Sequence, residues 1–298
     1  MTWQDYEQEI FNYFREQFPK ADIRTNVKIE GRFSKALRQV DILIEDYVAG
    51  NRMRIVVDGK WFGKSIDVKQ VEMFIGMLSD CEANKGLLIT QEGYSQAAIN
   101  RAHFDPIDIE LDILNFKELK KFQGLTGIPY GGGYGVLLAA PFGWIIDATR
   151  YQGILATMYQ RGLTLNEAGK RKEWMYVNIW VKGNGIKSID DFLEHQKLDA
   201  FKHQPEVKIS YLPTVRRDDY PTRLRVLEDP LYPTKEYTGF IEFDDFIFFC
   251  VLFTPEELRK KNIRKLENIL EKAQPLEVKE STIKNDFSMS FSDGQQVK

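Results

Sequence analysis

Arg38-Gln39-Val40-Asp41-Ile42-Leu43-Ile44, followed seventeen residues after Asp41 by Asp58-Gly59-Lys60 at the end of the run Ile55-Val56-Val57, decides how the chain folds. Side chains alternate faces along a strand, so Asp58 and Lys60 share one side and Val57 takes the other. Each charge stands where an apolar run calls for another hydrophobe. A charge entering a sheet core costs several kcal/mol unless it is paired or bound to a metal. Asp41 interrupts a second apolar strand in the same way. If the two strands pair, two carboxylates and a lysine meet, a set suited to a hard cation such as magnesium with positions left for water and phosphate.

The flanking sequence supplies a frame for that pair. Trp3, Glu7, Ile10, Phe11, Phe14 and Phe18 recur at helical spacing, which predicts an amphipathic helix over residues 4–18 with Glu7 inside its apolar stripe. An adjacent register would expose Glu7 and turn Glu9 inward. Three strands are expected over 23–30, 38–45 and 52–61, separated by Gly31 and by the Ala49-Gly50-Asn51 turn. Val68, Val71, Phe74, Ile75 and Leu78 restore the 3.6-residue period and predict a helix over 66–80, with Gln70 beside Val71 as a fifth candidate. A buried strand over 86–90, a short helix capped by Ser95 and ending near His103, a strand over 107–111 and a charged segment over 116–122 complete the order αβββαβαβ.

The chain has 298 residues, which at roughly 150 per domain suggests two domains. Its 43% hydrophobic and 29% charged content is that of a soluble globular protein. The net charge of -3 gives no global positive field, so a nucleic-acid partner has to be held by a local patch. Cys81 and Cys250 lie far apart and the three histidines are scattered, which excludes a Cys/His zinc cluster and suits a reduced cytoplasm. No signal sequence and no apolar run near 18 residues is present, so no membrane is expected. Six glycines and Pro129 between Gly124 and Gly135 have linker or turn composition, with Tyr130 to Gly135 read as a hinge. Beyond it, strands over 136–140, 144–147, 174–182, 208–212, 223–227, 237–243 and 246–253, with helices over 154–171, 188–203 and 255–273, predict a separate α+β domain. The expected division is 1–123, 124–275 and a flexible polar tail over 276–298.

Tyr6-Glu7 in the first helix, Arg38-Gln39-Val40-Asp41, Val56-Val57-Asp58-Gly59-Lys60, Gln70 within Val68 to Glu72, Lys85 to Thr90 and Gly93 to Ala98 occur in this order over about a hundred residues. This set resembles the PD-(D/E)xK nuclease superfamily, within it the Mrr-like restriction endonuclease branch, and is also similar to the archaeal Holliday-junction resolvases. The resemblance covers roughly residues 3–112. It implies an α/β fold with a restriction-endonuclease-like α-β-β-β-α-β core on a mixed sheet, and Mg²⁺-dependent endonucleolytic hydrolysis of phosphodiesters, with Mn²⁺ as substitute. In that reading Asp41, Asp58 and the carbonyl of Gly59 ligate the metal, Lys60 positions or deprotonates the attacking water, Glu7 holds a second metal or its hydration shell, and Gln70 orients Lys60 or the phosphate. Asp58 stands where many relatives carry Glu or Gln, and Gly59 is less usual there than an apolar residue and loosens the strand.

Between Arg24 and Lys69 ten basic residues face six acidic ones, so this segment is more basic than the chain. Arg32 and Lys35 beside Phe33, Arg38, and Lys64 after Trp61 and Phe62 suit contact with nucleic acid, a solvated face being the alternative. The expected partners are DNA, with RNA left open, a second copy of the chain, since cutting both strands takes two sites, and an activating ligand or protein at the C-terminal domain. A role in restriction or antiviral defence follows from the resemblance. The competing readings are a nuclease fold that has lost activity and serves as a nucleic-acid-binding scaffold, and a junction- or repair-specific nuclease.

Overall fold

A computed structural model describes residues 2–48, 51–103, 110–121, 125–131, 133–215 and 217–278. The first half is built on a five-stranded sheet with strands β1 (Asp22–Glu30), β2 (Leu37–Val48), β3 (Asn51–Lys60), β4 (Lys85–Thr90) and β5 (Glu110–Asn115) in sequence order. The pairs β1/β2 and β2/β3 are antiparallel and β3/β4 and β4/β5 are parallel, so the sheet is mixed. Helix α1 (Trp3–Gln17) starts on a Thr2/Asp5 capping box that satisfies its first N–H groups. It buries Tyr6, Ile10 and Phe14 against Ile42, Val57, Leu87, Ile89 and Leu114 on one sheet face. Each such side chain contributes roughly 1.5–3 kcal/mol. Helices α2 (Val68–Asp80) and α3 (Gln96–His103) cover the other face, where Phe74, Leu78 and Ala98 meet Val56, Leu88 and Ile113.

The element order agrees with the sequence reading, with one displaced strand. The strand expected over 107–111 runs instead from Glu110 to Asn115, because Ile113 and Leu114 supply the burial that places it in the ladder beside β4. Positions 107–109 lie outside the described residues.

Beyond residue 124 the glycine-rich segment is not a linker. Leu125–Pro129 (β6) and Tyr134–Ala139 (β7) pair antiparallel, and a later strand joins β7 to make a three-stranded sheet. The glycines there serve close approach: a Cβ on Gly135 would lie 2.9 Å from the Ile128 carbonyl oxygen. Trp144–Asp147 (β8) and Ala156–Gln160 (β9) follow. The helix expected over 154–171 is therefore interrupted: its first part holds the strand β9, and only Leu165–Arg171 (α4) is helical, started by a Thr164/Glu167 capping box. All five β9 residues are buried, and a strand buried on both faces carries no period that separates it from a helix.

Strands β10 (Trp174–Val181), β11 (Lys208–Leu212), β12 (Thr222–Glu228), β13 (Glu236–Glu242) and β14 (Phe246–Phe253) complete a seven-stranded antiparallel sheet in the order β11-β12-β13-β14-β10-β9-β8. Helix α5 (Ile189–His203) packs Phe192 on Phe240 and Ile247 at one face. Helix α6 (Arg259–Lys272) packs Leu266, Ile269 and Leu270 into the larger cluster at the other. Gln274–Glu277 (β15) is the strand that pairs with β7, so the tail expected from 276 begins inside a sheet, while residues 279–298 lie outside the described residues.

The two halves touch through polar groups. Arg161 lies 3.5 Å from Asp112, which is fully buried, and Gln160 donates to the His103 carbonyl at 3.3 Å. Burial and four surrounding cations push the His103 imidazole down to about 3. Phe142 from the second half joins the α1-side cluster. Among the described residues no helix is long and apolar enough to cross a membrane.

Candidate active site

Strand β3 delivers Asp58 and Lys60 at its C-terminal end, after Ile55, Val56 and Val57 have anchored it between β2 and β4. The β2/β3 ladder runs from the Val48–Asn51 pair only as far as Ile42 opposite Val57. Past that point the Gly59 N–H donates to Asp41 Oδ2 at 3.1 Å, so a carboxylate replaces a strand carbonyl as acceptor. The substitution brings Asp41 beside Asp58. Lys60 Nζ sits 2.7 Å from Asp58 Oδ2.

Asp58 is 6% exposed. Burial pushes its carboxyl up to about 7, and the hydrogen bond it shares with Asp41 pushes the same way, while Lys60 pulls against both. Two carboxylates in one site cannot both ionise freely, so the pair retains a proton into the neutral range. Glu7, half-buried on α1, is also raised, by burial first and then by Asp41. Glu7 and Asp41 line one open cleft of about 510 Å³ together with Trp3, Thr25, Asn26 and Gln39. Glu9 is exposed, which resolves the register of the helix in favour of Glu7.

Tyr6 received no role from the sequence. Its hydroxyl is buried among the described residues without a hydrogen-bond partner, and burial, followed by Asp58 and Asp41, raises the phenol well above its usual range. The ring packs on Phe116 at 4.6 Å and Trp61 at 5.2 Å between centroids. A Cβ on Gly59 would come within 3.1 Å of Tyr6 Cε1, so the glycine at 59 accommodates this ring. The available signal was a hydroxyl-bearing aromatic in an otherwise apolar stripe, one residue from Glu7.

The remaining candidates are distributed around this centre. Gln70 is the third residue of a capping box: its Oε1 accepts from Asp67 N–H at 2.9 Å and its own N–H donates to Asp67 Oδ1 at 3.2 Å. Arg38 Nε pairs with Asp80 at 2.6 Å and Arg32 with Glu82 at 3.1 Å, both at the C-terminal end of α2. Asp80 also accepts from the Phe33 and Ser34 N–H groups and the Ser34 hydroxyl, and these bonds hold its carboxyl far below the usual range. Lys35 and Lys64 are exposed.

Among the described residues no three His, Cys, Asp or Glu side chains form a ready metal cluster. Asp41 and Asp58 nonetheless fit a hard dication with water completing its shell: both offer oxygen donors, and the Asp58 carboxyl, raised first by burial and then by Asp41, would regain its charge beside a cation.

A mixed sheet whose third strand ends in Asp-Gly-Lys beside an aspartate of the second is a restriction-endonuclease-like arrangement. Residues 1–122 match the family model Mrr_cat, described as restriction endonuclease. Among solved structures, the MspJI restriction endonuclease in complex with a 27-mer oligonucleotide is 16% identical, covers 39% of this chain and 27% of its own, and has a TM-score of 0.28. The cyanobacterial PsbP protein from Synechocystis sp. PCC 6803 is 13% identical over 51% of this chain and 92% of its own, with a TM-score of 0.36. LpqN of Mycobacterium tuberculosis is 8% identical over 51% and 91%, with a TM-score of 0.33. No curated protein matches the chain.

Proposed function

We propose that the chain is a divalent-metal-dependent endonuclease acting on DNA, serving restriction or antiviral defence, with the part beyond residue 123 as a distinct unit that controls activity or specificity. The observation that carries this reading is Asp58, its carboxyl raised to about 7 beside Asp41, with Lys60 Nζ 2.7 Å from its Oδ2. A Mg²⁺ or Mn²⁺ ion held there supplies Lewis acidity toward the phosphate and acidifies a bound water. Asp41, Asp58 and the Gly59 carbonyl would be its protein ligands, and Glu7, across the same cleft, would hold water or a second ion. Lys60 lies close enough to Asp58 to move with it between pairing the carboxylate and offsetting charge that develops on the phosphate. Gln70 lies on the helix that follows the Lys60 loop and orients the phosphate through the part of its amide not used in capping. Arg32, Lys35, Arg38 and Lys64 supply phosphate contacts, Arg32 and Arg38 by exchanging their carboxylate partners. A two-copy assembly brings two such sites to opposite strands.

Cleavage of supercoiled plasmid by the full chain with Mg²⁺, Mn²⁺ or EDTA tests the reading, with single-stranded DNA and RNA as the other substrates. Metal-dependent cutting that Asp58→Ala and Lys60→Ala both abolish is the expected result. Cutting that survives both substitutions or persists in EDTA refutes the assignment.

A further inference from the structure

The cleft of about 510 Å³ that opens from Glu7 and Asp41 has a lining unlike that of a phosphate site. Among its described lining residues the only charges are those two carboxylates, and the rest are amides, the Thr25 hydroxyl and the Trp3 ring. The β1/β2 ladder pairs Thr25 with Ile42 and Val27 with Val40, and between these pairs Asn26 leaves extended geometry, with φ at 53°. Asparagine is among the few residues that take this left-handed conformation, at a cost that surrounding contacts must offset. The Asn26 amide meets that of Gln39, whose Nε2 donates to Asn26 Oδ1 at 2.7 Å. After this bond the Gln39 carbonyl oxygen remains an acceptor and the Asn26 amide a donor, both in the cleft lining. Turning both amides over leaves the same two functions. Trp3, 37% exposed, lines the cleft with its ring stacked on Tyr6 at 5.8 Å between centroids.

We propose that this cleft takes the base of an unpaired nucleotide adjoining the phosphate that is cut, so that the substrate is DNA with a locally unpaired strand; the inference rests on the nuclease reading above. Each of the four bases carries on its pairing edge a donor beside an acceptor, which is the complement of what Gln39 and Asn26 present. The flat face of a base stacks on Trp3 whatever its identity. Glu7 and Asp41 turn phosphates away from the cleft, which leaves it to the uncharged part of the nucleotide. A base inside an intact duplex fits poorly, because pairing consumes that edge and its neighbours in the stack cover both faces. Gln39 and Asn26 are thus specificity-determining residues, and what they select is an exposed base rather than a sequence.

Fluorescence anisotropy of labelled duplexes with the full chain, in EDTA at fixed ionic strength, reads binding apart from cutting. Three probes differ only at one central position: fully paired, with one unpaired thymidine in a bulge, and with an abasic residue in the same bulge. Wild type is expected to bind the thymidine bulge about tenfold more tightly than the other two, the effect of one bidentate base contact. The abasic bulge keeps the flexibility of the bulged duplex, so a preference over it reads the base and not the bend. Gln39→Ala should remove that preference and leave affinity for the paired duplex unchanged. Asn26→Gly, which keeps a residue free to adopt the left-handed backbone, should do the same. Equal binding of the thymidine and abasic bulges by wild type, or a preference that survives both substitutions, would overturn the proposal and leave the nuclease reading to the plasmid assay. Absence of DNA binding by wild type would overturn both.

Discussion

Replacing Asp58 by asparagine should make the protein more stable above neutral pH while removing cleavage. The raised carboxyl means that burial and Asp41 together oppose the charge more strongly than Lys60 supports it. The unfolded chain releases this proton near 3.8, whereas the folded protein keeps it to about 7. Between those values the native state binds more protons than the unfolded state, so this group lowers stability as pH rises, and the deficit is complete above about 7. The gap between the two values corresponds to on the order of 4 kcal/mol, an upper bound for the gain when a neutral side chain of the same shape takes the place of the carboxylate. For a chain of this size that amounts to a midpoint rise of several degrees. The assay is thermal unfolding of wild type and Asp58→Asn in EDTA at pH 4 and pH 8.5. The two proteins should nearly coincide at the lower pH and separate at the higher one, with the variant above. Addition of Mg²⁺ at pH 8.5 should raise wild type and leave the variant unmoved. A variant less stable than wild type at both pH values, or a difference that does not change with pH, would refute the argument that Asp58 is held in a site hostile to its charge.

Tyr6→Phe removes a buried hydroxyl without a partner and keeps the ring against Trp61 and Phe116, so metal-free stability should rise by about 1 kcal/mol in urea unfolding; a loss of that size would mean the hydroxyl is hydrogen-bonded. Arg161→Ala strands the buried Asp112 at the seam between the halves and should cost about 3 kcal/mol or more, shrinking as pH falls and Asp112, its carboxyl already raised by burial, takes up a proton; a pH-independent loss would point to packing instead.

Much of the site could be read along the chain because its strongest signal is local. Asp41 and Asp58 each break an apolar strand, and period-2 alternation fixes the side on which Lys60 joins Asp58. The helical period of Ile10, Phe14 and Phe18 likewise marked the face that α1 lays on the sheet, while Tyr6 joins that face only in the structure. The role of Gly59 was not legible, since what it accommodates is the ring of Tyr6, more than fifty positions away in sequence. Arg32 and Arg38 looked free in sequence, and their pairing with Glu82 and Asp80 depends on where the β1/β2 turn meets the end of α2. In the second half, glycines that in sequence are indistinguishable from a linker are the close contacts of a three-stranded sheet, and β9 is hidden because burial on both faces erases its period.

The sequence by itself determined the order of elements in the first half, the strands that carry Asp41, Asp58 and Lys60, and the α1 stripe that contains Glu7. Tertiary structure alone decided that the β2/β3 ladder stops at Ile42, so that Asp41 caps Gly59 and meets Asp58, and that Glu110 gathers three cations from two halves of the chain. The physical reason is range. Periodicity and capping act over a few residues and are written in neighbouring side chains, whereas the protonation state of a carboxylate depends on every charge and apolar surface that folding brings within a few ångströms of it.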